Sequence, residues 1–262
     1  MPEKSGTVES KPELELILLI VSPDPQSTAL RVASLGAIGD YRLIAEPTKT
    51  LHDIYLDTPD HLLAKKRINL RIRGTGGNYW ITMKISPGLL TRRRHERQEV
   101  EVPWSQESLR QIVGELSGKG VSLKVPREHD ETLSQVEVMK LMGLHVSQDR
   151  ETERSPRSIV DAGGPAEVLA ELEVDSVLYH FAAQDVRLFE LELEAKSQRG
   201  RNILGALSRK LQADFGPELR SWRFGKLVTG EKIERLLERK QLGAYLDGST
   251  LKPEAYPRIE RA

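Results

Sequence analysis

The chain has 262 residues, enough to bury a sizeable core in one large domain or two smaller ones. Lys plus Arg (39) equals Asp plus Glu (39), a balance that points to neither a nucleic-acid nor a membrane partner. Cysteine is absent, which excludes disulfides, thiolate catalysis and Cys-ligated zinc and fits a reducing compartment.

The first dozen residues are polar and charged, unlike a signal peptide, and read as a flexible tail over 1–12. The apolar run Leu16 to Val21 is far too short to cross a bilayer, so the expectation is a cytoplasmic protein. Strands show as alternation. Glu13 and Glu15 share one face with Leu14 and Leu16 opposite; Asn69, Arg71 and Arg73 share another with Leu70 and Ile72 opposite. Lys84 lies near the end of a strand from Tyr79 to Ile85. Arg97, Glu99 and Glu101 alternate with Val100 and Val102. Glu171, Glu173 and Asp175 alternate with Leu172 and Val174, and Glu190, Glu192 and Glu194 with Leu191 and Leu193. Helices are predicted over 27–35, 105–116, 136–142, 203–211 and 226–237, the second opened by a Ser105 cap. Turns are expected at Gly74–Gly77 and Asp161–Pro165. The chain thus divides into strand-rich segments at about 13–103 and 144–196, read as halves of one domain over 13–240. A tail over 241–262 follows.

Charge is segregated along this order. Residues 61–101 hold ten Lys or Arg against three acids, and residues 161–196 hold nine acids against Arg187 and Lys196. Several strands place like charges at consecutive same-face positions, which repel unless a counter-charge compensates them. A sheet closed so that basic strands face acidic ones would supply that compensation, with helices covering the outward apolar faces. Its cations and carboxylates suit a phosphate-rich ligand and a hard divalent cation respectively.

In order along the chain, Glu13-Leu-Glu15, Tyr55-Leu-Asp-Thr-Pro-Asp60, Leu70-Arg-Ile-Arg73, Trp80-Ile-Thr-Met-Lys84, Arg97-Gln-Glu-Val-Glu101, Glu171 to Asp175, Phe189 to Glu194 and Gly225-Lys226 resemble the signature blocks of the CYTH, or triphosphate tunnel metalloenzyme, family. The last pair occupies the place of a late Ser-Lys. The resemblance implies an α+β fold built on a closed antiparallel eight-stranded β tunnel with helices packed outside. It also implies Mg²⁺- or Mn²⁺-dependent hydrolysis of a triphosphate: inorganic, nucleoside or thiamine. Carried over by position, the metal carboxylates would be Glu13, Glu15, Asp175, Glu190 and Glu192. The substrate-binding cations would be Arg71, Arg73, Lys84, Arg154 and Lys226, with Lys84 and Lys226 in catalytic roles. Arg150 and Arg157 are neighbouring alternatives to Arg154, because Pro156 leaves the register open. Glu99 and Glu101 read first as anchors for the arginines opposite. The partner is a triphosphate-containing small molecule, with no nucleic acid and no membrane; a homodimer is left open.

One position departs from the family. Its ExExK signature has lysine where this chain has Ile17, which by period 2 shares a face with Glu13 and Glu15. Hydrolysis with another cation compensating is the favoured reading. A class IV-type adenylate cyclase and a non-catalytic triphosphate- or polyphosphate-binding protein are the alternatives.

Overall fold

The computed structural model describes residues 14–85, 98–125, 132–163 and 167–262. Its strands and helices run β1 (Glu15–Ile20), α1 (Pro25–Ala33), β2 (Ala37–Ile38), β3 (Tyr41–Ala45), β4 (Lys49–Asp57), α2 (Leu62–Lys65), β5 (Ile68–Thr75), β6 (Asn78–Ile85), β7 (Gln98–Pro103), α3 (Gln106–Gly118), α4 (Gln135–Leu141), β8 (His145–Asp161), β9 (Ala170–His180), β10 (Asp185–Ala195), α5 (Gln198–Phe215), β11 (Leu219–Trp222), α6 (Lys226–Glu238), β12 (Leu246–Asp247), β13 (Thr250–Leu251) and α7 (Tyr256–Arg261). All five predicted helices form, and α5 is the most extended relative to expectation. Their starts are set by side chains. Asp24 accepts from Ser27 N at the head of α1, Ser105 from Ser108 N at α3, and Ser197 from Gly200 N at α5. Ser134 and Glu137 close a capping box on α4.

The described residues pack as two compact units, one comprising 14–54, 74–77, 148–163 and 167–262, the other 55–73, 78–85, 98–125 and 132–147. The larger unit carries the strand order β11-β1-β10-β9-β8-β4, with β1, β10, β9 and β8 antiparallel. Alternation gives its sheet two different faces. On one, Leu18, Ile20, Leu172, Val174, Leu191 and Leu193 pack with Leu204, Leu207 and Leu211 of α5 and with Val32 of α1. Full burial of each such side chain contributes about 1.5–3 kcal/mol. The other face carries the acidic residues toward one end. Its other end is apolar: Ile17, Leu19, Val177, Tyr179, Val186, Leu188 and Trp222 cluster with Ile233 of α6 and with Tyr256 and Ile259 of α7.

The smaller unit continues from the end of β4 through β5, β6 and β7, where Ile81↔Val102 and Lys84↔Glu99 pair antiparallel. Among the described residues the strand path has its ends at β7 and β11. Two-residue strands β2, β12 and β13 account for part of a strand count higher than expected. The antiparallel sheet with helices packed on it matches the expected fold class. No described helix is long and apolar enough to cross a membrane.

The segment 241–262, expected to be a tail, is folded instead. Strand β13 joins β10 in parallel at Arg187↔Thr250, and Arg187 N donates to Ser249 O at 2.7 Å. Leu251, Ala255, Tyr256 and Ile259 are each at most 2% exposed, and the Tyr256 hydroxyl donates to Ile20 O at 3.3 Å. Burying those side chains offsets the ordering entropy of a polar-looking stretch. The tail expected over 1–12 lies outside the described residues.

Candidate functional site

In the larger unit, period 2 brings three strands' charges onto one face. Register pairs Arg154 of β8 with Asp175 of β9, Asp175 with Glu190 of β10, and Glu173 with Glu192. Lys226, the first residue of α6, enters this group from the helix end. Its Nζ stands 2.5 Å from Glu190 Oε1, 2.8 Å from Glu192 Oε1 and 2.9 Å from Asp175 Oδ2. The Arg154 fork takes the other side. Nε and Nη2 donate to the two Asp175 oxygens at 2.9 and 2.7 Å, Nη2 also reaches Glu192 Oε2 at 3.1 Å, and Nη1 lies 2.5 Å from Glu173 Oε1.

Four carboxylates thus face two cations in a buried setting; Asp175 and Glu190 are 0% exposed and Lys226 8%. The imbalance appears in their ionisation. Burial, opposed by Arg154 and reinforced by Asp175 and Glu192, pushes Glu173 up to about 8. Burial, only partly offset by Lys226, pushes Glu190 up to about 7. Burial also acts to raise Glu192, but Lys226 and Arg154 outweigh it and hold that carboxyl well below its usual range. Lys226 is raised well above the ordinary lysine value: burial opposes its charge, and Asp175, Glu190 and Glu192 overcome that opposition.

This donor set fits a hard divalent cation. Glu173, Asp175 and Glu192 each offer an oxygen within 4.8 Å of the others, and a second group, Glu171, Glu173 and Glu194, does the same. Of the fully buried Glu190, Oε1 lies against Lys226 Nζ at 2.5 Å, while Oε2 has no hydrogen-bond partner among the described residues.

The first turn of α6 is docked by polar contacts to the sheet. The Tyr179 hydroxyl donates to Lys226 O at 2.8 Å, Gln148 Nε2 to Leu227 O at 3.0 Å, and Trp222 Nε1 to Thr229 Oγ1 at 2.9 Å. Gly230 permits this close approach, since a Cβ there would lie 2.7 Å from the buried Tyr179 ring and would overlap the Gln148 amide. Gly230→Ala is therefore expected to lower stability by about 1–3 kcal/mol through overpacking, measurable as a fall in the denaturant midpoint at unchanged slope.

Of the residues singled out from the sequence, Asp175, Glu190, Glu192, Arg154 and Lys226 converge. Arg150 shares Arg154's face but is committed elsewhere: 2% exposed, it places Nη2 3.0 Å from Asp53 Oδ2. Arg157 alternates to the other face, opposite Leu172. Strand β8 runs through Pro156 unbroken. Glu15 is exposed at the start of β1, opposite Glu194, and belongs to neither carboxylate group. Glu13 lies outside the described residues. Glu173 is not among the metal carboxylates that the resemblance carries over, although its alternation with Leu172 and Val174 sets it on Asp175's face.

The smaller unit holds the remaining cations. Arg71, 9% exposed, places Nη1 3.5 Å from the Tyr55 hydroxyl and Nη2 3.9 Å from Glu101, which itself accepts from Thr82 Oγ1 at 2.9 Å. Lys84 Nζ is 3.0 Å from Glu99 Oε2, so Glu99 anchors a lysine where an arginine is expected. Arg73 is half-buried two residues beyond Arg71 on β5. In the Tyr-Leu-Asp-Thr-Pro block Asp57 has a structural task, accepting from Thr58 N, Leu63 N and Ala64 N at 2.7, 2.9 and 3.2 Å and so tying α2 to the end of β4.

The CYTH domain matches residues 17–212. The chain belongs to the CYTH family. A protein from Hippeastrum, described as an adenylyl cyclase with a dominant triphosphatase activity, shares the fold at a TM-score of 0.52. It is 18% identical, and the match covers 85% of this chain and 96% of that one. A Bacillus halodurans protein described as an adenylate cyclase superposes at 0.47, with 14% identity over 84% of this chain and 96% of its own. Within this CYTH chain the departure at Ile17 has a clear setting. Its side chain is 8% exposed, packs with Leu19 and Trp222, and stands across the ladder from Glu192. The cations that reach Glu192 are Lys226 and Arg154.

Proposed function

We propose that this CYTH protein hydrolyses a triphosphate in a divalent-cation-dependent reaction. The observation that carries the reading is the Lys226 ammonium set within 3 Å of Asp175, Glu190 and Glu192 on the same sheet face as Arg154. Phosphoryl transfer needs mainly positioning and charge neutralisation, and no covalent nucleophile is required of this chain. Asp175, Glu190, Glu192 and Glu173 would hold Mg²⁺ or Mn²⁺, which supplies positive charge to phosphate oxygens when bound. Lys226 adds a compact point charge, and Arg154 a planar fork suited to two phosphate oxygens. Arg71, Arg73 and Lys84 are assigned to the phosphate chain on the strength of the family resemblance. Lys226 and Arg154 supply the cationic charge beside Glu192 that the signature lysine would bring, so Ile17 is compatible with turnover.

The test is phosphate release from inorganic triphosphate, ATP and thiamine triphosphate, each with Mg²⁺, Mn²⁺ or chelator. Orthophosphate release that depends on the cation is the expected result. Pyrophosphate from ATP would mark a cyclase instead, and no product from any substrate would sink the hydrolase reading.

A further inference from the structure

Arg154 binds the same carboxylates that form one of the two cation-ready groups. Among the described residues its fork pairs with the acids Glu173, Asp175 and Glu192, and those three residues make up that group. Lys226 takes a different set, which includes Glu190 and omits Glu173. A guanidinium stays protonated under all working conditions, so Arg154 cannot yield these oxygens by losing its charge. Nor can the two share them. A hard cation needs the oxygens drawn in to about 2.0–2.6 Å, and each oxygen facing Arg154 already lies against an N–H at 2.5–3.1 Å.

We infer that Arg154 is an internal counter-ion that occupies the ligand set of a divalent cation, and that cation binding and Arg154's grip on Glu173, Asp175 and Glu192 exclude each other. The inference rests on the proposed reading of this site and deepens it. Loading the cation releases a positively charged fork at the moment a phosphate needs one. Cation and phosphate therefore assist each other's binding, and the cation alone binds against internal competition. In the empty site Arg154 compensates part of the charge on these three carboxylates.

The distinguishing measurement is a titration of the full chain with MnCl₂ alone, following free Mn²⁺ by electron paramagnetic resonance. Removing a phosphate-binding arginine would ordinarily leave bare cation affinity unchanged. Here Arg154→Gln is expected to bind Mn²⁺ at least about tenfold more tightly than the natural chain, because a like charge beside the ion is gone. Arg154→Lys, which keeps the charge and loses the fork, serves where the glutamine variant folds poorly; its Kd should fall in the same direction by a smaller factor. Equal or weaker Mn²⁺ binding by a folded variant overturns the inference while leaving cation-dependent hydrolysis standing. Absence of Mn²⁺ binding in the natural chain and both variants overturns the reading of the site itself, and the inference with it.

Discussion

Lys226→Ala is expected to cut cation-dependent phosphate release by about 100-fold to 1000-fold, the size of effect seen when one preorganised charge is taken from a developing anion. The Lys226 ammonium is desolvated, with Asp175, Glu190 and Glu192 within 3 Å, and so costs no reorganisation when phosphate charge builds up. The same substitution should lower folding stability by about 3–5 kcal/mol, because three buried carboxylates lose a cation that touches each of them. Stability loss alone could mimic an activity loss, so the comparison includes Lys226→Met, which keeps the aliphatic stem and its packing. If both variants, assayed well below their melting temperatures, retain more than about a tenth of natural turnover, Lys226 is a structural counter-ion and has no part in the reaction. Full loss in both, with the methionine variant folded, assigns the charge to the reacting phosphate.

How much of this site could be read from residues alone follows from what alternation does and does not encode. Period 2 placed Glu171, Glu173 and Asp175 on one face and Glu190, Glu192 and Glu194 on another, and the register joins them as a single face. It could not say that the same face turns apolar two residues further along, at Val177 and Leu188, where α6 and α7 cover it. Ile17 therefore looked like a bare side chain among charges; it is part of that apolar half. The choice among Arg150, Arg154 and Arg157 is open in the sequence because Pro156 leaves the register of the strand undetermined. Tertiary partners decided it: Asp53 and Gln148 hold Arg150, leaving Arg154 opposite Asp175. The C-terminal segment reads as a tail for a different reason. Its strands are two residues long and α7 shows only Tyr256 and Ile259 as an apolar stripe, too little for a periodic signal, yet each anchor is almost fully buried. The docking of α6 through Tyr179, Gln148 and Gly230 depends on contacts far apart in sequence and had no local signature.

In chelator, the protein is expected to lose roughly 3 kcal/mol of stability between pH 6 and pH 8, and excess Mg²⁺ should abolish that loss. The sign follows from Glu173 and Glu190. Their folded values, raised mainly by burial to about 8 and about 7, lie above the ordinary carboxylate value of 4.5 that an unfolded chain would show. Between those values the folded state binds more protons than the unfolded one, so stability is greatest at low pH and declines as the two carboxyls ionise. Glu192 does not offset this. Held below its usual range, it contributes stability that is already complete above pH 5 and is lost only in acid. Two protons in effect stand in for the positive charge that Arg154 and Lys226 leave unsupplied to four carboxylates. A divalent cation provides the same charge at any pH in this window, and it also displaces Arg154 from three of those groups. Thermal melts at pH 6 and pH 8, each with chelator or Mg²⁺, separate the cases. A steep decline in chelator that flattens with Mg²⁺ is the expected result. A decline equally steep with and without the ion would mean that the buried carboxylates bind protons but no metal, and would remove the cation from this site.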